Sequence, residues 1–172
     1  MSHSKTNETA MTIREQRIFD FINDNHVGVL ASVDPNNEPH ATVIYHAINK
    51  EDFTVSFLTK TGTKKYDNLI RNKHVVLVVF EPVSQSVAQI IGEAHELTNA
   101  DDINEVAAII NKASVEANQG KVMPIAKLEA GTYTAFKIIP FQIRMARYAH
   151  PDSNDYNHLF ESIESFDLKP KA

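Results

Sequence analysis

The stretch FLTKTGTKKYDNLIRNKHVVLVVF, Phe57 to Phe80, holds an apolar run, a turn rich in threonine and lysine, a helix-like segment and a second apolar run. Taken alone, that order of strand, helix and strand would suit a doubly wound parallel fold. Its neighbours decide otherwise. Before it, HVGVLASVD (26–34), PHATVIYHAI (39–48) and FTVSFLT (53–59) are short β-branched segments separated by the turn sequences PNNE and NKED. Short turns between consecutive strands predict an antiparallel meander over about 27–59. After it, HVVLVVF (74–80) reads as a strand buried on both faces. EPVSQ breaks that run, and SVAQIIGEAHEL (86–97) is a fifth strand in which Gly92 marks a bulge or a close approach. GTYTAFKIIPFQIRMARYA is the last strand or strand pair, with Pro140 at an edge or bulge. Consecutive strands with few helices between them favour an antiparallel sheet that closes on itself over a doubly wound fold.

Helices are expected in three places. TIREQRIFDFINDN carries Thr12 with Glu15 three positions on, a capping-box pattern, and Ile13, Ile18, Phe19 and Ile22 at helical spacing, giving a helix over 12–25. A short helix follows TGTKK. A third runs from Asp101 or Asp102 to Gly120, with Ile103, Val106, Ala107 and Ile110 along one side, as a cover on the barrel. The length of 172 residues suits one domain over 12–149, with a flexible arm over 1–11 and a polar tail with scattered aromatics over 150–172.

Lys+Arg total 17 against 22 Asp+Glu, for a net charge of −5, so a global basic field of the kind that binds nucleic acid is missing and any anion site is local. The chain has no cysteine, which removes disulfides, thiolate metal sites and cysteine nucleophiles together. No stretch reaches the roughly 18 apolar residues of a membrane span. The start, MSHSKTNETA, is polar and lacks the apolar segment of a secretory signal, so the expectation is a cytoplasmic protein without a membrane partner.

The lysines at 60, 64 and 65 raise a conflict. A helix start already carries partial positive charge, and natural sequences put Asp or Glu there, whereas Asp67 comes late. Solvated lysines tolerated at small cost are one reading. The other is an anion site, in which backbone amides, the hydroxyls of Thr61 and Thr63 and the ammonium groups of Lys64 and Lys65 converge on a phosphate. The spacing is not that of a Walker loop, so nucleotide hydrolysis is unsupported.

The ordered set PHATVIYHAI, FTVSFLT, KTGTKKYDNLIRN, HVVLVVFEP and SVAQIIGEAHELT resembles the flavin-binding split barrel of the pyridoxamine 5'-phosphate oxidase-like family over about residues 12–98, with a fainter likeness from Tyr133 to Tyr148. The family's turn signature stands here as Leu58-Thr59, Thr63-Lys64-Lys65, Asn68-Leu69 and Asn72, and IGEA resembles its Gly-x-Ala step. The resemblance implies a mainly β (α+β) fold: a six-stranded antiparallel split β-barrel of Greek-key order with peripheral helices. It further implies bound FMN and a homodimer with flavin sites at the interface. Thr63, Lys64 and Lys65 then resemble the residues that hold the FMN phosphate. Leu58 and Thr59 resemble those passing beside the flavin ring, largely through backbone groups. Ala41, Thr42, Val43 and Ile44 resemble the strand under the ring and ribityl chain. The family has a basic residue at the head of that strand where this chain has His40-Ala41, and His46 is a candidate to compensate. A glutamine facing the flavin corresponds to Gln89, on the same strand face as the aligned Val87, with Gln85 as the alternative.

Four of the eight histidines, His40, His46, His74 and His95, lie on strands or their ends, where packing is the simple role, and no metal-ligand spacing appears. Arg144 is a further candidate beside the flavin. The implied activity is FMN-dependent oxidation or reduction of a small molecule. True pyridoxamine phosphate oxidases end in a segment with characteristic Arg, His and Trp residues; this chain has no Trp and ends in SIESFDLKPKA. Competing readings are a flavin or haem carrier or stress protein on the same barrel, with His150 or His158 as iron ligands, and a deazaflavin user. Hydride transfer itself asks for no acid or base, so no catalytic residue is assigned.

Overall fold

The computed structural model describes residues 11–117, 132–148 and 160–168. Residues 1–10, assigned above to an N-terminal arm, and Gly120, His150 and His158 lie outside them. Helix α1 (Ile13–Asp24) opens on the expected capping box, the Glu15 amide donating to the Thr12 hydroxyl at 3.2 Å and the Thr12 amide to the Glu15 carboxylate at 2.7 Å. Ile18 and Ile22 are buried, whereas Ile13, which the periodicity puts with them, is exposed.

Seven strands follow: β1 (Val27–Val33), β2 (Pro39–Ile48), β3 (Val55–Lys60), β4 (His74–Glu81), β5 (Ser86–Glu96), β6 (Tyr133–Tyr148) and β7 (Phe160–Asp167). They form one antiparallel sheet in the order β3-β2-β1-β4-β5-β6-β7, and β3 also pairs with β6, closing the first six into a barrel. Placing β4 beside β1, outside the β1–β2–β3 meander, is the Greek-key arrangement. The fold is mainly β, with α2 (Lys64–Arg71) between β3 and β4 and α3 (Ala100–Ala117) between β5 and β6.

Strand alternation sends Leu30, Ile44, Val55, Phe57, Leu77, Ile90, Phe136 and Ile138 into the barrel, where the Phe57 and Phe136 rings stack 5.7 Å apart. Each such side chain contributes about 1.5–3 kcal/mol by burial. Leu69 of α2 joins this core. On the outside, α3 sets Val106 and Ile110 against Leu58 of β3 and Ala135 of β6, as a cover helix should.

Strand β4 corrects one expectation. Val75, Leu77 and Val79 face the core, but Val76 and Val78 are half-exposed and Phe80 is 52% exposed. The reason is coverage: α3 packs on β2, β3 and β6, and no described helix covers the outside of β4. One outward row runs Val43, Val29, Val78, Gln89 and Arg144, each register-paired with the next, and a second runs Ala41, Ala31, Val76, Ile91 and Gln142.

β6 pairs with three strands in turn: β3 through Tyr133–Ile138, β5 through Phe136–Arg147 and β7 through Gln142–Tyr148. The change of partner needs a bend, and the register shifts at Ile91/Gly92, as expected for the Gly92 and Pro140 pair. A Cβ on Gly92 would stand 2.3 Å from the Ile139 carbonyl oxygen, so only glycine fits. The last strand, β7, lies in the polar tail and carries no alternation clear enough to predict it. It is fixed by Phe166, which meets the Phe53 ring at 5.2 Å, and by Arg17 of α1, which pairs with Glu164.

His46 sits wholly inside the barrel, and neither ring nitrogen makes a hydrogen bond of ordinary geometry. Burial, with a smaller contribution from nearby His26, lowers its pKa from 6.5 to about 4, against a weaker upward pull from the Asn25 backbone. The folded chain therefore refuses a proton that the unfolded chain accepts. Stability is full above about pH 6.5 and declines as pH falls from there to about 4, by on the order of 3 kcal/mol from this residue. His46→Leu should flatten that part of a urea-midpoint-against-pH profile relative to the parent chain. Parallel profiles would remove His46 as the cause.

Candidate functional site

The pairing of β2 with β3 is short. Three register pairs join them, His46↔Phe57, Ala47↔Ser56 and Ile48↔Val55, whereas β1 and β2 share seven. Among the described residues no ladder pair continues from β2 before His46 or from β3 after Phe57. The strands part there into a seam, with Ala41–Tyr45 along one side and Leu58–Lys60 along the other. Each side keeps its outer partner, β1 and β6 respectively, so the seam exposes one row of backbone donors and acceptors on each strand. Two side-chain atoms of β2 in this stretch, Thr42 Oγ1 and His40 Nδ1, are buried without a hydrogen-bond partner.

The turn after β3 leads to the open end of the seam. Gly62 takes φ +71, which glycine adopts without strain. Thr63 caps α2: its hydroxyl accepts from the Tyr66 amide at 3.3 Å and donates to the Lys60 carbonyl at 2.9 Å. The Thr61 hydroxyl donates to the Thr132 carbonyl at 3.2 Å. Both hydroxyls are thus engaged by the turn, while the amides of Lys64 and Lys65, at the helix start, have no intrahelical acceptor.

The two lysines differ. Lys64 Nζ lies 3.4 Å from Asp34 Oδ2, across the open end of the seam, in the turn that leads into β2. Lys65 Nζ lies 6.0 Å over the Phe57 ring, is half-buried, and has no ion-pair partner among the described residues. Burial holds its amine below the ordinary lysine range. An uncompensated, partly desolvated cation beside a helix start is the feature that a bound anion would relieve.

The sequence-predicted residues are therefore brought together in part. Ala41, Thr42, Val43 and Ile44 face Leu58 and Thr59 across the seam, and Thr63, Lys64 and Lys65 close its end. Leu58 can offer only backbone, because its side chain is sealed under α3, and the Thr59 side chain is buried on the same strand face as Phe57. Thr42 and Ile44 point into the barrel; Ala41 and Val43 point out, and Val43 is 64% exposed. His46 corrects the idea that it substitutes for a basic residue at His40: it lies six positions along the strand, enclosed and neutral. Gln85 is a turn residue with φ 50 whose carbonyl accepts from the Tyr148 amide.

Gln89 is not at the seam. It lies on β5, three strand steps from β2 and so about 14 Å across the sheet. There it lines a cavity of 270 Å³ with Arg144, Tyr148 and Phe160. A larger cavity of 670 Å³ lies between α1, the β2–β3 turn and Ile139–Phe141, and contains none of the predicted residues. Among the described residues no group of three or more His, Cys, Asp or Glu could hold a metal ion, and no helix is long and apolar enough to cross a membrane. Sequence reasoning missed Asp34, whose only signal was an Asp-Pro turn, and the seam itself.

Solved structures share this architecture. The General Stress Protein 26 from Bacillus anthracis str. Sterne is 20% identical with a TM-score of 0.61, covering 78% of this chain and 94% of that one. A pyridoxamine 5'-phosphate oxidase-related, FMN binding protein from Nostoc punctiforme PCC 73102 is 13% identical with a TM-score of 0.57, covering 94% and 100%. A heme binding protein from Mycobacterium smegmatis is 12% identical with a TM-score of 0.62, covering 92% and 60%. Identities this low speak for the fold alone. No curated protein matches the chain. Residues 15–145, however, match the sequence model of pyridoxamine 5'-phosphate oxidase, and the chain belongs to that family.

Proposed function

We propose that the chain binds FMN along the β2–β3 seam and uses it to oxidise or reduce a small molecule. The observation that carries this reading is the conjunction of an unpaired strand seam with a half-buried, unpartnered Lys65 at its end. The seam suits a flat ring with a polar edge, because each side presents unpaired backbone groups. Lys65, Lys64 and the first amides of α2 suit a phosphate. Thr42 Oγ1 and His40 Nδ1, buried without partners, are atoms a bound ribityl chain or phosphate would satisfy. FMN supplies hydride acceptance and donation; the protein's part is to hold the ring, exclude water from one face and anchor the phosphate.

The same reading includes a homodimer. Gln89 and Arg144 cannot reach the seam of their own protomer, but they share an outer face with Val29, Val78 and Phe80, and no described helix covers that face. Docking two such faces would bury the apolar rows and carry Gln89 of each chain toward the other chain's seam. A true pyridoxamine phosphate oxidase remains disfavoured by the lack of tryptophan.

Purified protein mixed with excess FMN and desalted should retain the flavin absorption bands; colourless protein would sink the proposal, and a single Soret band in protein as purified would favour haem. The double variant Lys64→Ala/Lys65→Ala should weaken FMN by at least about 1–3 kcal/mol, while leaving riboflavin, which lacks the phosphate, almost unchanged. Loaded protein should bleach under NADH or NADPH without oxygen if it is an oxidoreductase using those donors; no bleaching with either points to a carrier or another donor. Val78→Asp should shift the mass measured by light scattering from dimer to monomer and reduce flavin retention along with it. A monomeric parent chain that binds FMN fully would refute the shared site.

A further inference from the structure

Asp34 stands at the phosphate end of the seam, yet neither the turn signature nor the anchor reading uses it. It follows β1 directly, and its backbone closes the hairpin: the Asp34 amide donates to the Glu38 carbonyl and the Asn37 amide to the Asp34 carbonyl. Its carboxylate is held on one side by the turn. Oδ1 accepts from the Asn36 amide at 2.8 Å and the Glu38 amide at 3.0 Å. Oδ2 is left to face Lys64 Nζ at 3.4 Å. The side chain is only 7% exposed. The Glu38 amide chiefly, with the Asn36 amide and Lys64, outweighs burial and keeps the carboxyl below its ordinary range, so it stays ionised near neutrality.

A fixed carboxylate at that position makes the two lysines of the turn unequal. Lys64 already has a counter-ion, and Lys65 has none among the described residues. A phosphate entering the seam end meets a full positive charge at Lys65 and a neutralised pair at Lys64–Asp34. It must also approach a negative charge that cannot swing away, since two backbone amides hold it. We infer that Asp34 is an internal competitor for the anion anchor: it occupies Lys64, leaves Lys65 as the principal phosphate-binding charge, and keeps the affinity for phosphorylated flavin below what the two lysines would otherwise give. The inference rests on the reading of the seam end as a phosphate site.

The discriminating experiment is a double-mutant cycle on the full chain, with FMN and riboflavin affinities measured by fluorescence titration. Asp34→Asn keeps an oxygen for the turn amides and removes the charge. Asp34→Ser, which also supports such turns, serves as a second neutral variant should the first fold poorly. Removing the like charge should tighten FMN by about tenfold and leave riboflavin unchanged. In the parent chain Lys64→Ala leaves the Asp34 carboxylate bare at the seam end and should weaken FMN by about tenfold, and adding Asp34→Asn to it should recover most of that loss. Lys65→Ala should weaken FMN strongly in both backgrounds. If Asp34→Asn weakens FMN in the parent chain, or fails to recover affinity in the Lys64→Ala background, Asp34 is not a competitor and the inference falls. Equal tightening of riboflavin would also overturn it, since the effect would not lie at the phosphate. No effect of Lys65→Ala together with Lys64→Ala would instead refute the phosphate site itself, and the inference with it.

Discussion

The barrel depends on a short ladder. Three register pairs between β2 and β3 are all that join the meander to the strand that β6 closes onto, and everything that distinguishes the candidate site follows from their being so few. If the ladder ran the whole length of β2, as the β1–β2 ladder nearly does, the edges at Ala41–Tyr45 and Leu58–Lys60 would be consumed by sheet hydrogen bonds. β3 avoids the usual penalty of an open edge because β6 holds its other side from Val55 to Lys60, and β2 is held by β1. α3 seals the outside where the strands diverge, through Leu58, Val106 and Ile110. The seam is therefore rigidly framed and still chemically unsatisfied, a combination suited to recognition by backbone.

Much of this was legible in the sequence, for identifiable reasons. The boundaries of β2 and the capped start of α1 follow from local signals, a β-branched run between turn residues and a Thr-x-x-Glu box. Gly92 and Pro140 announced a bulge because neither fits an ordinary ladder position, and the structure puts them opposite one another. The lysines at 64 and 65 were visible as a conflict between charge and helix polarity. The family likeness assembled these pieces into one fold.

What escaped the sequence is tertiary in origin. How far two strands stay paired depends on neighbours from distant parts of the chain, so the seam has no local signature. The run HVVLVVF looks doubly buried because valine alternates with leucine and valine; whether its outer face is covered depends on where α3 packs, and it packs elsewhere. β7 has charges and serines between its aromatics, and only Phe53, reached from the β2–β3 turn, gives Phe166 a place to go. Asp34 read as a turn former, which it is, and nothing along the chain shows that its second oxygen meets Lys64. His46 read as a strand histidine of undecided role, and its enclosure within the barrel turned it from a candidate ligand into a neutral core residue.

The long last strand of the barrel has a consequence for the order in which the chain can fold. β3 is complete by residue 60, but the strand that closes it begins at Tyr133, and Val55 must wait for Ile138. During synthesis on a ribosome, the five earlier strands would emerge as a curled sheet with the β3 edge unguarded until the last third of the chain arrives. Pairings this distant in sequence slow folding and prolong exposure of an aggregation-prone edge. Lys60, whose ammonium group takes no part in the proposed anchor, sits at the end of that edge, where a charge discourages pairing with the wrong chain.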